Sequence, residues 1–404
     1  MTQYLARPIA RPVLASLIAV VAASCSTDAI GPQSVPHAFS LEGLGAVNDR
    51  YTAELNVRGN VAYTSTWSSR NGNRGNAVKV WNVSGPVPAI VDSVIVANAG
   101  TTGDVVISDD GTFLMVAIEQ GTQNGIALYS LASPTHPQLI TRYATANTAN
   151  GVHTAEFARV DGKPYGFLQI NAKSSAGSPA KLVIVDLSTP SAPVEVLARV
   201  LGRPSIHDVF VRDGVLFTAE WNDGTGIWDI GGLGRGGSVT NPIKVATAST
   251  INGEVHNIWW FKDAAGNKKY LFVGEEGPGD LETSIGDVHV VDVSTLTAPK
   301  EVAVYGVPGA GTHNFSMDES RGVLYAAYYN AGVRALDVRG DLGTCTAAQK
   351  RPDGRCDLKL MGREIAAFDP ASPRHYVWGV QFIDDVVYAS DMLNGLYKLS
   401  AVAP

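Results

Sequence analysis

Four histidines stand at equivalent places in the chain: His153 in GVHTAEF, His207 in SIHDVFV, His256 in EVHNIWW and His313 in GTHNFSM. Each opens a run of alternating apolar residues. The following residue changes from Thr154 to Asp208, Asn257 and Asn314 while the imidazole stays. Neutral imidazole binds Fe, Cu and Zn alike, so four converging rings would make a candidate site for any of the three. Carboxylates recur one strand later, as Glu220 in FTAEW and Glu275 in FVGEE, with Asp391 in YASDM at the matching place. An acid behind a metal-bound histidine commonly accepts its second N–H and fixes the tautomer. That role is expected of Glu220 and Glu275, with Glu156 and Asp208 as alternatives. The pattern also admits a structural reading in which each ring only bonds neighbouring turns. Other chemistries lack their residues: there is no Gly-x-Ser-x-Gly elbow for a hydrolase, and Gly231–Gly237 lacks the lysine of a phosphate loop.

Positioning four such residues requires four equivalent strands, and the chain supplies them as repeats. In Lys181–Val200, KLVIVDLSTPSAPVEVLARV, the β-branched run Leu182–Val185 reads as a buried strand. Asp186 and Ser188 can bond nearby backbone, and Pro190 and Pro193 prevent the ladder from continuing. The phrase returns in Val288–Val302 without a gap and in Ile126–Ile140 with both prolines. Weaker copies lie at Val78–Ile90, Ile227–Val245, Val333–Val338 and Leu396–Ser400, making seven. Between copies runs a strand, a tight turn and a second strand, clearest in IHDVFVRDGVLF with Asp213-Gly214 at the turn. Repeats of about 45 to 50 residues with four strands each predict an all-β, seven-bladed β-propeller of antiparallel blades. The last unit lacks its fourth strand, and Phe39–Val47, FSLEGLGAV, is expected to supply it and close the ring. First strands line a propeller's channel, which would bring the four histidines to the axis beside Ala53, Gly103 and Trp378 of the other blades. Trp67, Trp221, Trp259, Trp260, Tyr328, Tyr329 and Trp378 could line a carbohydrate- or protein-binding face, but most are expected to pack between blades.

The expected organisation is a signal peptide over 1–24, a tether over 25–38 and the propeller over 39–404. Arg7 and Arg11 precede an apolar core, Val13–Ala23, too short for a comfortable membrane span. The Ala-Ala-Ser-Cys ending resembles a bacterial lipobox, which implies that Cys25 is lipidated and holds the protein to a membrane. Ser26 in place of Asp then points to the outer membrane or cell surface. An exported location permits a disulfide between Cys345 and Cys356. The net charge of −7 and the absence of a basic run argue against nucleic acid as a partner. A monomer is expected.

The stretch LVIVDLSTPSAP, Leu182–Pro193, resembles the LVIVD repeat of bacterial exported β-propeller lipoproteins. That resemblance implies the fold and location more than an activity. Ser205–Ile230 is loosely similar to segments of selenium-binding protein and methanethiol oxidase, propellers with histidine-bound copper. The four-histidine arrangement also resembles that of the carotenoid oxygenases, seven-bladed propellers with axial iron, although the large lid insertions of that family are missing. Two functions are therefore in view. One is an envelope interaction or ligand-binding module, with a protein or glycan partner met by rim loops such as Lys173–Pro179 and Asp280–Gly286. The other is a metal-dependent oxidase or oxygenase-like enzyme using the four histidines.

Overall fold

The computed structural model describes residues 38–172, 179–200, 206–277 and 281–404. Residues 1–24, Cys25 and the tether up to residue 37 lie outside the described residues, as do 173–178 and Asp280 of the two expected rim loops. The described chain forms seven four-stranded antiparallel sheets arranged as a seven-bladed propeller. Inner strands are Tyr51–Arg58, Ala99–Ile107, Val152–Val160, Val209–Arg212, Val255–Trp260, Phe315–Asp318 and Val377–Ile383, for blades 1 to 7 in turn.

Each repeated phrase forms a third strand and the turn after it. Leu182, Val183, Ile184 and Val185 are wholly buried because both faces of the blade are covered by neighbours. The strand stops where Asp186 Oδ1 accepts the Ser188 N–H at 2.8 Å, and Asp292 does the same for Ser294 at 2.9 Å. A short aspartate side chain thus satisfies the turn that the ladder leaves behind. At Asp213-Gly214 both residues have positive φ, 51° and 70°, the twist a two-residue hairpin requires.

Leu41–Ala46 pairs antiparallel with Gly395–Ser400, Leu44 opposite Tyr397, and completes blade 7 as the sequence predicts. Gly45 is needed there: a Cβ would stand 2.5 Å from the Trp81 ring and from the Pro88 carbonyl oxygen. The core is a set of layers between adjacent blades, such as Met115, Leu128, Val152, Leu168 and Val183 between blades 2 and 3. Cys345 and Cys356 form the expected disulfide. The bridged segment adds a fifth strand, Cys356–Asp357, parallel to the outer strand Lys300–Tyr305 of blade 5. Among the described residues no helix is long and apolar enough to cross a membrane.

Candidate functional site

In five blades the axial residues sit on breaks in the inner-strand ladders, and in blades 4 and 6 His207 and His313 lie just before the inner strand. Pairing shifts between Thr52 and Leu55, Thr102 and Val105, Val152 and Ala155, Val255 and Asn257, and Val377 and Gly379. A bulge bends its strand and re-aims side chains. In blades 1 to 3 each break spans two residues: Ala53 and Glu54, Gly103 and Asp104, His153 and Thr154. Gly103 is there for space, since a Cβ would come 1.9 Å from the carbonyl oxygen of His153.

All four predicted histidines meet at the axis. Ring centroids are 4.4 Å apart for His153 and His207, 3.9 Å for His207 and His256, and 4.1 Å for His256 and His313. Trp378 continues the series 4.3 Å from His313, and Trp67 closes it, 5.5 Å from Trp378 and 5.3 Å from His153. Six aromatic rings therefore encircle the axis. Trp67, Trp221, Tyr329 and Trp378 belong to this neighbourhood, which departs from the inter-blade packing expected of most of the aromatic residues, whereas Trp260 and Tyr328 do pack into the core.

The acids behind the histidines are not the expected ones. Glu220 accepts from Thr218 Oγ1 at 2.7 Å and Lys244 Nζ at 3.2 Å, and Glu275 accepts from Asp287 N and His289 Nε2, each at 3.2 Å. Neither bonds an axial histidine. Glu275 lies opposite Val255 in the ladder and turns into blade 5; its neighbour Glu276, one residue on, faces the axis. Glu276 Oε2 is 3.5 Å from His256 Nε2 and 3.9 Å from His207 Nε2, and its other oxygen accepts from Tyr329 Oη. Glu119 takes the second position, bonded to His153 Nδ1 at 3.0 Å and to Asn171 Nδ2 at 2.7 Å. Both were visible in the sequence, as the second acid of FVGEE and in VAIEQ. Asp391 caps its own turn by accepting from Leu393 and Asn394. Asp208 and Glu156 border a separate cavity.

The electrostatics divide the histidines. Burial opposes a charge on His153, but the charge and hydrogen bond of Glu119, helped by Asp104 and Glu276, raise it to about 9. Burial, and then the neighbouring imidazoles, hold His207, His256 and His313 well below the usual value, so these three are neutral. His207 Nδ1, both nitrogens of His256 and His313 Nδ1 are buried without a hydrogen-bond partner. Among the described residues, the set of three or more whose ligand atoms all approach within 4.8 Å is His207, His256 and Glu276, not the four histidines. A cavity of about 300 Å³ opens beside them, walled by Trp67, His153, His313, Tyr329, Tyr376 and Trp378 among others.

The LVIVD repeat family model matches residues 176–198, the segment that leads into and forms the outer half of blade 3. The chain matches no curated protein. A β-propeller that carries this repeat fits an interaction module.

Proposed function

We propose that the protein is an exported β-propeller, held at the cell envelope through lipidated Cys25, that binds a small ligand at its axis. The observation that carries this reading is the buried, partnerless Nδ1 atoms of His207 and His313, two rings that wall the 300 Å³ cavity, with the partnerless nitrogens of His256 between them. Each unsatisfied buried polar atom costs about 1–3 kcal/mol, and four of them fall on three adjoining rings. Aromatic walls with a few convergent polar groups are what small-molecule sites are made of. Export is supported by the leader-like residues Arg7 to Ser24 and by the Cys345–Cys356 disulfide, a bond that persists in oxidising compartments. A protein or glycan on the rim remains the natural partner of an interaction module.

A second reading, a metal-dependent oxidase or oxygenase-like enzyme, is favoured by the approach of His207, His256 and Glu276. Two neutral imidazoles and a carboxylate suit Fe, Cu or Zn, and would leave positions open towards the cavity. His207, His256 and Glu276 would hold the ion, which would supply redox or Lewis-acid chemistry. His153, protonated and fixed by Glu119, would face it as a proton donor.

Elemental analysis of the mature protein, purified without chelator or affinity metal, separates the two when run beside the fourfold His→Ala variant. Near-stoichiometric Fe, Cu or Zn that vanishes in the variant supports the enzyme. No metal in either leaves the ligand-binding reading, which predicts that small-molecule hits in a thermal-shift screen are lost in Trp378→Ala. Hits that survive in that variant would overturn it.

A further inference from the structure

One residue beyond the histidine register, the inner strands aim a second set of side chains into the channel, and these carry oxygen instead of nitrogen. Glu54, Asp104 and Asp208 come from blades 1, 2 and 4, with Asn257 and Asn314 at the same place in blades 5 and 6. Glu156 joins them from further along the inner strand of blade 3. Together they border a cavity of about 350 Å³, separate from the aromatic one, with His207 on the wall of both.

The acids in this cavity crowd one another, and protonated His153 and Arg212 offset that repulsion only in part. Asp104 faces Glu54 and Asp208, and Glu156 faces Asp208 and Asp104. Arg212 is the one Lys or Arg on the wall, and it is already bound to Glu319 Oε1 at 2.7 Å. The hydrogen bonds present are those of neutral donors: Ala155 N to Asp104 at 2.6 Å, Asn257 Nδ2 to Asp208 at 2.7 Å, and Trp378 Nε1 to Glu54 at 2.6 Å. Burial, and for Glu54, Asp104 and Glu156 the neighbouring acids, raise Glu54 to about 8 and Asp208 to about 6 and hold the other two well above the usual carboxylate range, so ionising all four without a cation is unfavourable. A second observation points the same way. His256, only 2% exposed, lies on this cavity's wall with neither ring nitrogen hydrogen-bonded.

We propose that this cavity binds a divalent metal cation with part of its water shell, Glu54, Asp104, Glu156 and Asp208 supplying the oxygen acceptors. Carboxylates and amides select hard cations such as Mg²⁺, Ca²⁺ or Mn²⁺, unlike the imidazole set on the other side of His207. Among the described residues no three of these acids bring ligand oxygens within 4.8 Å of one another. The ion therefore reaches some of them through water, as Mg²⁺ commonly does. None of the four acids belongs to the set that would hold an ion beside the aromatic cavity; His256 does.

Isothermal titration of the chelator-treated full chain with Mg²⁺, Ca²⁺ and Mn²⁺, and Mn²⁺ electron paramagnetic resonance, test it. One ion per chain is expected, with affinity reduced at least tenfold in Asp104→Asn/Glu156→Gln. Because those changes remove like-charge repulsion, the variant should melt no lower than the wild type in chelator, which distinguishes lost ligands from lost fold. Absence of binding, affinity unchanged in the variant, a lower melting point in chelator, or uptake of 1,4-diaminobutane without any divalent ion would each overturn the proposal. Fe, Cu or Zn measured on the same samples reports the histidine site separately.

Discussion

The Nε2 atoms of His153 and His207 face each other at 2.9 Å. Two lone pairs cannot share that distance, so one nitrogen carries hydrogen. Glu119 decides which, because its carboxylate holds His153 as the imidazolium, donating from Nδ1 to Glu119 and from Nε2 to His207. His207 then keeps its own proton on Nδ1, the atom that is buried without a partner.

A pH dependence follows from this pair. His153 has a folded value, about 9, above the ordinary 6.5, so its contribution to stability is complete below pH 6.5 and is lost as the pH climbs through 9. Urea unfolding of the chelator-treated protein should show a decline on the order of 3 kcal/mol across that window. Glu119→Gln should flatten it. An equally steep decline in the variant would show that Glu119 does not hold the charge.

His289 offers a second test away from the axis. It is wholly buried, 3.2 Å from Glu275 Oε2 and 2.6 Å from Glu301 Oε1, while Arg355 of the disulfide segment also donates to Glu301. Burial disfavours its charge, but the two carboxylates outweigh burial and raise it. Its stabilisation is therefore full below pH 6.5 and is lost as the pH climbs from there through its raised value. His289→Ala, which leaves two acids buried beside one arginine, should cost about 3 kcal/mol in urea titrations at pH 6.

Glycine 103 is expected to be intolerant. Gly103→Ala drives a methyl into the His153 carbonyl, whereas Gly59→Ala meets nothing within 4 Å and adds only the cost of a positive φ, about 1 kcal/mol. Denaturation should separate the two, with Gly103→Ala more destabilising and also reducing ligand or metal uptake at the axis. Equal effects would mean that the bulge is softer than its contacts indicate.

Opening the disulfide should loosen one corner of the ring. Closing a segment of this length stabilises by about 2–3 kcal/mol in the chain-entropy account. Cys356→Ser should lose that amount and raise hydrogen exchange in Cys356–Asp357 and the facing strand Lys300–Tyr305, with the other blades unchanged. Exchange spread evenly over all blades would contradict a local role.

The architecture was legible because a propeller writes itself seven times. β-Branched runs, Asp-x-Ser turns and prolines mark the best copies, and their spacing locates the worn ones such as Val333–Val338. The histidine register was legible for the same reason. What failed was the assignment of acids, since Glu275 and Glu276 differ by one residue and adjacent residues of a strand point to opposite faces; only the pairing with Val255 tells them apart. Glu119 escaped because its strand, Phe113–Gly121, runs longer than the others and shifts the alignment. The oxygen ring escaped because two-residue bulges turn both Gly103 and Asp104 inward, which strict alternation forbids.

Closure by Leu41–Ala46 also sets a timetable. Leu41–Ala46 precedes blade 1 in the chain and its partner, Gly395–Ser400, follows blade 6, so six blades can assemble while this strand waits. Until the final hairpin arrives, Leu41–Ala46 is an unpaired strand able to add to another chain, and the end blades of the crescent expose apolar faces. Any factor that delays the last blade lengthens that exposure, and the hazard in this protein's production lies at the seam rather than in any blade's core.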